Sequence, residues 1–387
     1  MPHLVDAAPL DSPFIDVVPR DADLPCGRGV ALRWFDAPFG AGVRVERINS
    51  APVGVGALLL WIEYPIAGGT PTFALGSLPT LNASTVTAVS LAPLVQPQWL
   101  VPQDRGALVI EPTDTPAMFS LRWALFDETG AGPLQEVSWD LPPGVSRGAS
   151  LGCSGAAAVS VLLEREDRAV GAAVVQWESA TSAAVSEFAF PVDGSLGVWG
   201  GAPGAVDPNI EACVASGPIV YALARPGRAG PLRLLRWAEG RLLEPPHALG
   251  TVGALGGTAM VDAEGPLFFS FDASEPWMVR AFRPTTGGDT LELDAHLLDA
   301  FPTQPVPVGA VRLSDETAMV FYDAGGILAA IGFADGVFGT PTLIADSRCT
   351  TQSPTYSQEG HILWPVACST GTDRFQLGMF ELCGGSP

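Results

Sequence analysis

The chain has 387 residues, with 20 basic against 41 acidic side chains and a net charge of −21. Every basic residue is an arginine, so Schiff-base chemistry and a P-loop lysine are excluded. A broad acidic field repels phosphate, which argues against nucleic acid and anionic lipid as partners. Hydrophobic residues make up 47% and charged residues 16%, enough apolar material for a large core and too little charge for a disordered chain.

The 44 glycines and 36 prolines are scattered between apolar runs, the signature of many turns. Apolar stretches such as Ala57–Ile62 fall far short of the ~20 residues that span a bilayer. No membrane insertion is expected. The first residues, MPHLVDAAPLDSPFIDVVPRD, carry neither a basic n-region nor an apolar h-region.

Residues 1–29 show no periodicity and read as an extended arm ending at Cys26-Gly27-Arg28-Gly29. Val30–Phe35 reads as a strand, and the Asp36–Gly42 turn leads to another at Val43–Ile48. From there one pattern recurs: a Gly- or Pro-containing entry, a short strand, a polar turn, a strongly apolar second strand, then one or two amphipathic strands. The apolar strands fall at 57–64, 117–127, 157–164, 218–224, 266–272, 318–323 and 361–367. Their anchors are Leu58, Met118, Val159, Ile219, Leu267, Met319 and Ile362, a mean interval of roughly 51 residues.

Short strands precede them at 106–110, 148–153, 209–215, 257–261, 309–313 and 353–357. In the last unit the reading is Ser353–Ser357, a Gln358–Gly360 turn, His361–Cys368, and Arg374–Leu382. No stretch keeps a 3.6-residue apolar period between caps, and segments such as Asp294–Ala300 are at most one or two helical turns.

Short β-rich strands between turn signals at a fixed longer period resemble the β-propeller repeat proteins, over about residues 30–383. The resemblance rests on periodicity. Trp139-Asp140 has no counterpart in other units, so this is not a WD40 series, and neither an Asp-box nor a kelch double-glycine series occurs. The implied fold is all-β: a single propeller domain over 30–387. Seven blades of antiparallel strands are expected, closed by an N-terminal strand drawn from 30–35 or 43–48; six or eight blades, or two β-sandwich domains, fit the same pattern. Second strands would be apolar on both sides because each blade is covered by its neighbours.

Six cysteines allow 15 pairings. The repeat register selects Cys153–Cys213, at matching places in consecutive first strands. It also selects Cys26–Cys383, at the two ends of the ring, and leaves Cys349–Cys368 within one unit. Disulfides imply export to an oxidising compartment, so a secreted, periplasmic or cell-surface location is expected; six reduced thiols are the alternative. Zinc is not expected, since there is no Cys-x-x-Cys and His3, His247, His296 and His361 do not cluster with the cysteines.

Gly144-Val-Ser146-Arg-Gly148 matches G-x-S-x-G, but prolines precede it and a strand follows, where a nucleophile elbow needs strand then helix. Acidic residues recur at apolar-strand ends, at Asp127, Glu164, Asp272 and Asp323, and read as turn chemistry. No calcium loop appears. Asn82-Ala83-Ser84 is a glycosylation pattern, and His361 reads as a strand-end residue.

The propeller resemblance implies that ligands sit where entry loops meet the central channel. The candidates there are Asp104, Arg105, Arg147, Asp207, Asn209, Gln352 and Ser353. Arg105 and Arg147 would clamp a carboxylate, or neutralise neighbouring acids. The expectation is a monomeric, non-catalytic module for a protein or glycan partner, with no cofactor and no metal. The alternative is a carbohydrate-active hydrolase or lyase using two channel-mouth carboxylates about 5–10 Å apart.

Overall fold

The computed structural model describes residues 30–35, most of 42–189, of 208–298 and of 304–351, and then 355–356, 362–363, 366–369 and 375–382. The arm at 1–29 lies outside the described residues. Every regular element described is a β-strand.

Six sheets are built from consecutive strands. The first holds Val43–Val53, Gly56–Pro65, Thr72–Leu78 and Thr87–Val89. The second holds Trp99–Gln103, Gly106–Thr115, Met118–Asp127 and Gln135–Asp140. The third holds Ser146–Cys153, Ala158–Arg165, Arg168–Ser179 and Ser182–Ala189. The fourth runs from Pro208–Ser216 through Ile219–Pro226 and Arg233–Ala238 to Arg241–Leu242. The fifth runs from Ala254–Asp262 through Gly265–Asp272 and Met278–Pro284 to Thr290–Leu297. The sixth runs from Pro305–Arg312 through Thr317–Ala324 and Leu328–Ala334 to Val337–Phe338.

The last sheet is composite. It takes Cys349–Thr351, Val366–Ser369 and Phe375–Leu382 from the end of the chain and Val30–Phe35 from its beginning. Val30 pairs with Leu382 and Phe35 with Leu377, antiparallel.

Alternation explains why the second strands are apolar throughout. In Gly56–Pro65, Leu59 and Trp61 join one core cluster, while Leu58 and Leu60 join another that contains Ala107, Val109 and Phe126 of the second sheet. In Ala158–Arg165, Val159 and Val161 pack toward the second sheet, and Ala158 and Leu162 toward the fourth. In Gly265–Asp272, Phe268 packs with the fourth sheet, and Leu267, Phe269 and Phe271 with the sixth. The third and fifth sheets are therefore covered on both sides by their sequence neighbours. At about 1.5–3 kcal/mol per buried large apolar side chain, these two-faced strands are where burial contributes most. The first strands of the first and second sheets lie side by side, as do those of the third to sixth sheets in succession, and Cys349–Thr351 lies beside Val43–Val53. This is an all-β β-propeller, its first strands innermost.

Four details differ from the sequence reading. In the second unit the strand taken as second, 117–127, is third; Trp99–Gln103 is first and Gly106–Thr115 second. Both middle strands there are apolar and long, so hydrophobicity alone misassigns them; anchoring on Leu108 evens out the irregular spacing. Asp294–Ala300 holds no helical turn among its described residues, because Asp294 to Leu297 complete an outer strand paired with Met278–Pro284.

In the last unit, Thr355–Tyr356 and Ile362–Leu363 form a separate two-stranded ribbon, so the expected strand His361–Cys368 is split. Of the seven expected blades, the described residues show six that are self-contained; the remaining four-stranded sheet draws on both ends of the chain, with Val30–Phe35 as the closing strand.

Candidate functional site

Five of the first strands carry the same irregularity at the same place. The register against the second strand shifts between Glu46 and Asn49, Arg147 and Ser150, Ile210 and Ala212, Ala254 and Gly256, and Pro307 and Gly309. Each shift lies within a few residues of the strand's start. A β-bulge leaves residues unpaired, bends the strand and re-aims side chains. Bulges at the starts of these five inner strands therefore re-aim side chains at the same end of each of the five sheets.

The residues at these bulges make specific approaches. Glu211 is the extra residue of the bulge in the fourth sheet. It reaches the neighbouring first strand, where a Cβ on Gly256 would lie 3.4 Å from Glu211 Oε2 and 3.2 Å from Pro307 Cγ. In the third sheet, a Cβ on Gly148 would fall 2.0 Å from Glu164 Oε1. At Gly148 a carboxylate lies directly over the backbone, whereas at Gly256 the tighter neighbour is Pro307 and the carboxylate is in ordinary contact. In the first sheet, Asn49 donates to the backbone carbonyl of Gln98 at 3.4 Å, tying its bulge to the entry of the second sheet. Trp61 Nε1 donates to Glu63 Oε1 at 2.9 Å.

The second strands end at the same level. Glu63 pairs with Val45, Glu164 with Ser146, Arg225 with Asn209, Asp272 with Ala254, and Asp323 with Val306. Asp127 does not belong to this series, since its strand is third in its sheet. It closes a hairpin instead, accepting from the Thr129 hydroxyl at 2.6 Å and N–H at 2.7 Å. Those bonds hold its carboxyl below the usual range. Asp272 is bound by Arg280 at 3.3 Å, and Arg280 also reaches Glu292. Among the described residues, no group of three or more His, Cys, Asp or Glu side chains is disposed to hold a metal ion.

The sequence-predicted residues distribute unevenly. Arg147 lies at a bulge, half-buried, its guanidinium 5.7 Å from the Phe119 ring centroid on the second sheet. It packs across the seam between two sheets. Arg105 is exposed in the turn between first and second strands of the second sheet, the opposite end from the entry. Its placement as an entry residue is corrected by the strand reassignment above. Asn209 sits in strand Pro208–Ser216, opposite Arg225. Asp104, Asp207, Gln352 and Ser353 lie outside the described residues, as do Asn82, His361, Cys26 and Cys383. Ser146 of the G-x-S-x-G match starts a strand and no helix follows.

Glu211 and Gly256 were missed. The available signal was glycine inside otherwise apolar first strands, which marks a bulge or a close approach. Cys153 and Cys213 form a disulfide, Cα–Cα 4.4 Å, between the first strands of the third and fourth sheets.

No protein-family profile matches the chain, and no curated protein matches it. Solved structures do resemble it. A streptogramin B lyase is 12% identical, with 91% of this chain and 98% of that one covered and a TM-score of 0.47. The β-propeller domain of the trilobed protease from Pyrococcus furiosus is 10% identical, with 88% and 94% covered and a TM-score of 0.48. The β-propeller domain of Nup133 from Vanderwaltozyma polyspora is 8% identical, with 92% and 99% covered and a TM-score of 0.49. The fold assignment above rests on strand order and register.

Proposed function

We propose that this chain is an exported, non-catalytic binding module that holds a protein or glycan partner on the face where the first strands begin. The observation that supports it most is the recurrence of a bulge at the entry end of five first strands, with Glu164 and Glu211 seated over glycines there. Bulges cost ladder hydrogen bonds, and they repeat at one level of one face. The buried Cys153–Cys213 bond supports an oxidising location. In this reading the composite sheet is a seventh blade, the module is a monomer, and no cofactor takes part.

The test is a thermal-shift screen of glycans and of proteins from the same compartment. A ligand at 100 times its Kd adds about 2.7 kcal/mol. Gly148→Ala and Glu211→Gln should each weaken the hit, while Arg105→Ala at the opposite end should not. Binding that is indifferent to both entry-face changes would refute the assignment of the face.

A second reading is favoured by one observation: Glu164 and Glu211 are carboxylates on consecutive sheets at the same channel end. A glycoside-cleaving pair needs two such carboxylates about 5–10 Å apart. Turnover of a glycan, lost in Glu164→Gln and in Glu211→Gln, would select the enzyme over the binder.

A further inference from the structure

We infer that Cys349 and Cys368 form a second disulfide, a cross-strand staple inside the sheet that joins the two ends of the chain. The argument is one of register. Strand Cys349–Thr351 pairs antiparallel with Val366–Ser369, and Cys349 lies directly opposite Cys368. Directly opposed residues in an antiparallel pair have Cα atoms about 4.5 or 5.5 Å apart. Both spacings fall within the roughly 4.4–6.8 Å that a disulfide spans. Offset by one residue, the two side chains would point to opposite faces of the sheet and the bond would be excluded.

The staple has a definite place in the architecture. Cys349–Thr351 is the innermost strand of the composite sheet and only three residues long. It pairs with Val366–Ser369, which pairs with Phe375–Leu382, which pairs with Val30–Phe35. The bond ties this short edge strand to the one beside it, at the side of the sheet away from Val30–Phe35. It differs in kind from Cys153–Cys213, which joins two sheets. The chemistry balances as thiol–disulfide exchange. Two thiols lose two protons and two electrons, and a disulfide oxidant, such as oxidised glutathione, is reduced to two thiols.

The arginine-only basic set makes the test clean. Cleavage after Arg348 and Arg374 leaves both cysteines on one peptide, 349–374, whereas Cys26, Cys153, Cys213 and Cys383 fall on four others. The full-length chain, oxidised with the glutathione couple, is alkylated without reduction, digested and weighed. The Cys153–Cys213 link serves as the internal control for oxidation. The expected result is peptide 349–374 unalkylated and about 2 Da lighter than its dithiol form, two hydrogens lost. Further cleavage after Glu359 should add one water without separating the halves until reductant is added. The inference is overturned if, with the control link present, Cys349 and Cys368 carry alkyl groups, or if either is linked to the peptide of Cys26 or Cys383.

Discussion

Glu111 and Arg122 face each other in register across the second and third strands of the second sheet, and their side chains form an ion pair. Glu111 is 2% exposed. One of its oxygens takes the Arg122 Nε at 3.1 Å, and the other accepts the backbone N–H groups of Val95, at 2.9 Å, and Gln96. One buried carboxylate thus fixes both a neighbouring strand and the segment entering the sheet.

The two partners should respond unequally to deletion. Glu111→Ala leaves Arg122 and two amide donors without their acceptor, so a loss of about 3–5 kcal/mol is expected, the range for breaking a buried pair. Arg122→Ala leaves Glu111 with its two backbone donors, so about 1–3 kcal/mol is expected. Urea unfolding of the two variants measures the difference. Equal losses would mean that the backbone contacts contribute nothing.

Glycines separate close approaches of backbone from close approaches of a side chain. A Cβ on Gly56 would meet the Leu78 carbonyl oxygen at 2.0 Å and Pro79 carbonyl atoms at 2.8 Å. Backbone cannot swing aside, and Gly56→Ala should cost at least the ~1–3 kcal/mol of an overpacked core. The atoms that a Cβ on Gly148 would meet all belong to the Glu164 side chain, from Oε1 at 2.0 Å to Cγ at 2.7 Å, and a change of its χ1 rotamer moves all of them. Gly148→Ala should therefore keep nearly native stability in the same urea assay while displacing the carboxylate. Comparable destabilisation at both positions would show that Glu164 is held as rigidly as backbone.

The Cys153–Cys213 bond closes a loop of 60 residues. In the chain-entropy account this stabilises by about 4 kcal/mol. The two residues are 7% and 2% exposed, so reductant reaches the bond only when the seam between the third and fourth sheets opens. A Cys153→Ala/Cys213→Ala variant should unfold at a lower urea concentration, with or without reductant. Wild type should match it only after prolonged reduction. Rapid reduction of the folded protein would contradict the burial.

Removing residues 1–35 takes away the strand that covers Phe375–Leu382. That strand would become a bare edge, with unpaired N–H and C=O groups free to pair with another chain. The shortened chain should be less stable and should self-associate with rising concentration, as measured by light scattering after gel filtration. A monomer of unchanged stability would mean that the terminal pairing contributes nothing to the fold.

The fold was legible because its cause is local. A strand covered on both faces is apolar at most positions, and turns must separate the strands, so Gly56–Pro65 and Gly265–Asp272 announce themselves. Register was not legible where two apolar strands adjoin, which is why Gly106–Thr115 and Met118–Asp127 were misplaced by one and Arg105 was carried to the wrong end. The disulfide followed from the repeat, because Cys153 and Cys213 occupy matching strands. The bulges showed only through glycines such as Gly148, Gly256 and Gly309. One extra residue leaves no other mark on a pattern of apolar runs, so Glu211 looked like any polar residue two places before Cys213.

Asp262 and Arg283 predict how stability should change in acid. Arg283 donates to the two Asp262 oxygens at 2.8 and 2.6 Å, and the Glu264 N–H adds a bond of 2.9 Å. Burial alone would raise the Asp262 pKa. The Arg283 hydrogen bonds and charge, with the N–H groups of Glu264 and Gly265, outweigh it and leave the group below its ordinary value. An unfolded aspartate titrates near about 3.9. The folded carboxyl titrates lower, so its contribution is complete above the unfolded pKa and disappears as pH falls through the folded one. The urea midpoint of Asp262→Asn should therefore lie below that of wild type at pH 7, and the gap should narrow as pH drops below about 4. Arg283 stays charged throughout, so the narrowing belongs to Asp262 alone in this pair. A gap of constant size from pH 7 to pH 3 would mean that the loss comes from the altered turn at Asp262–Gly265 and not from the ion pair.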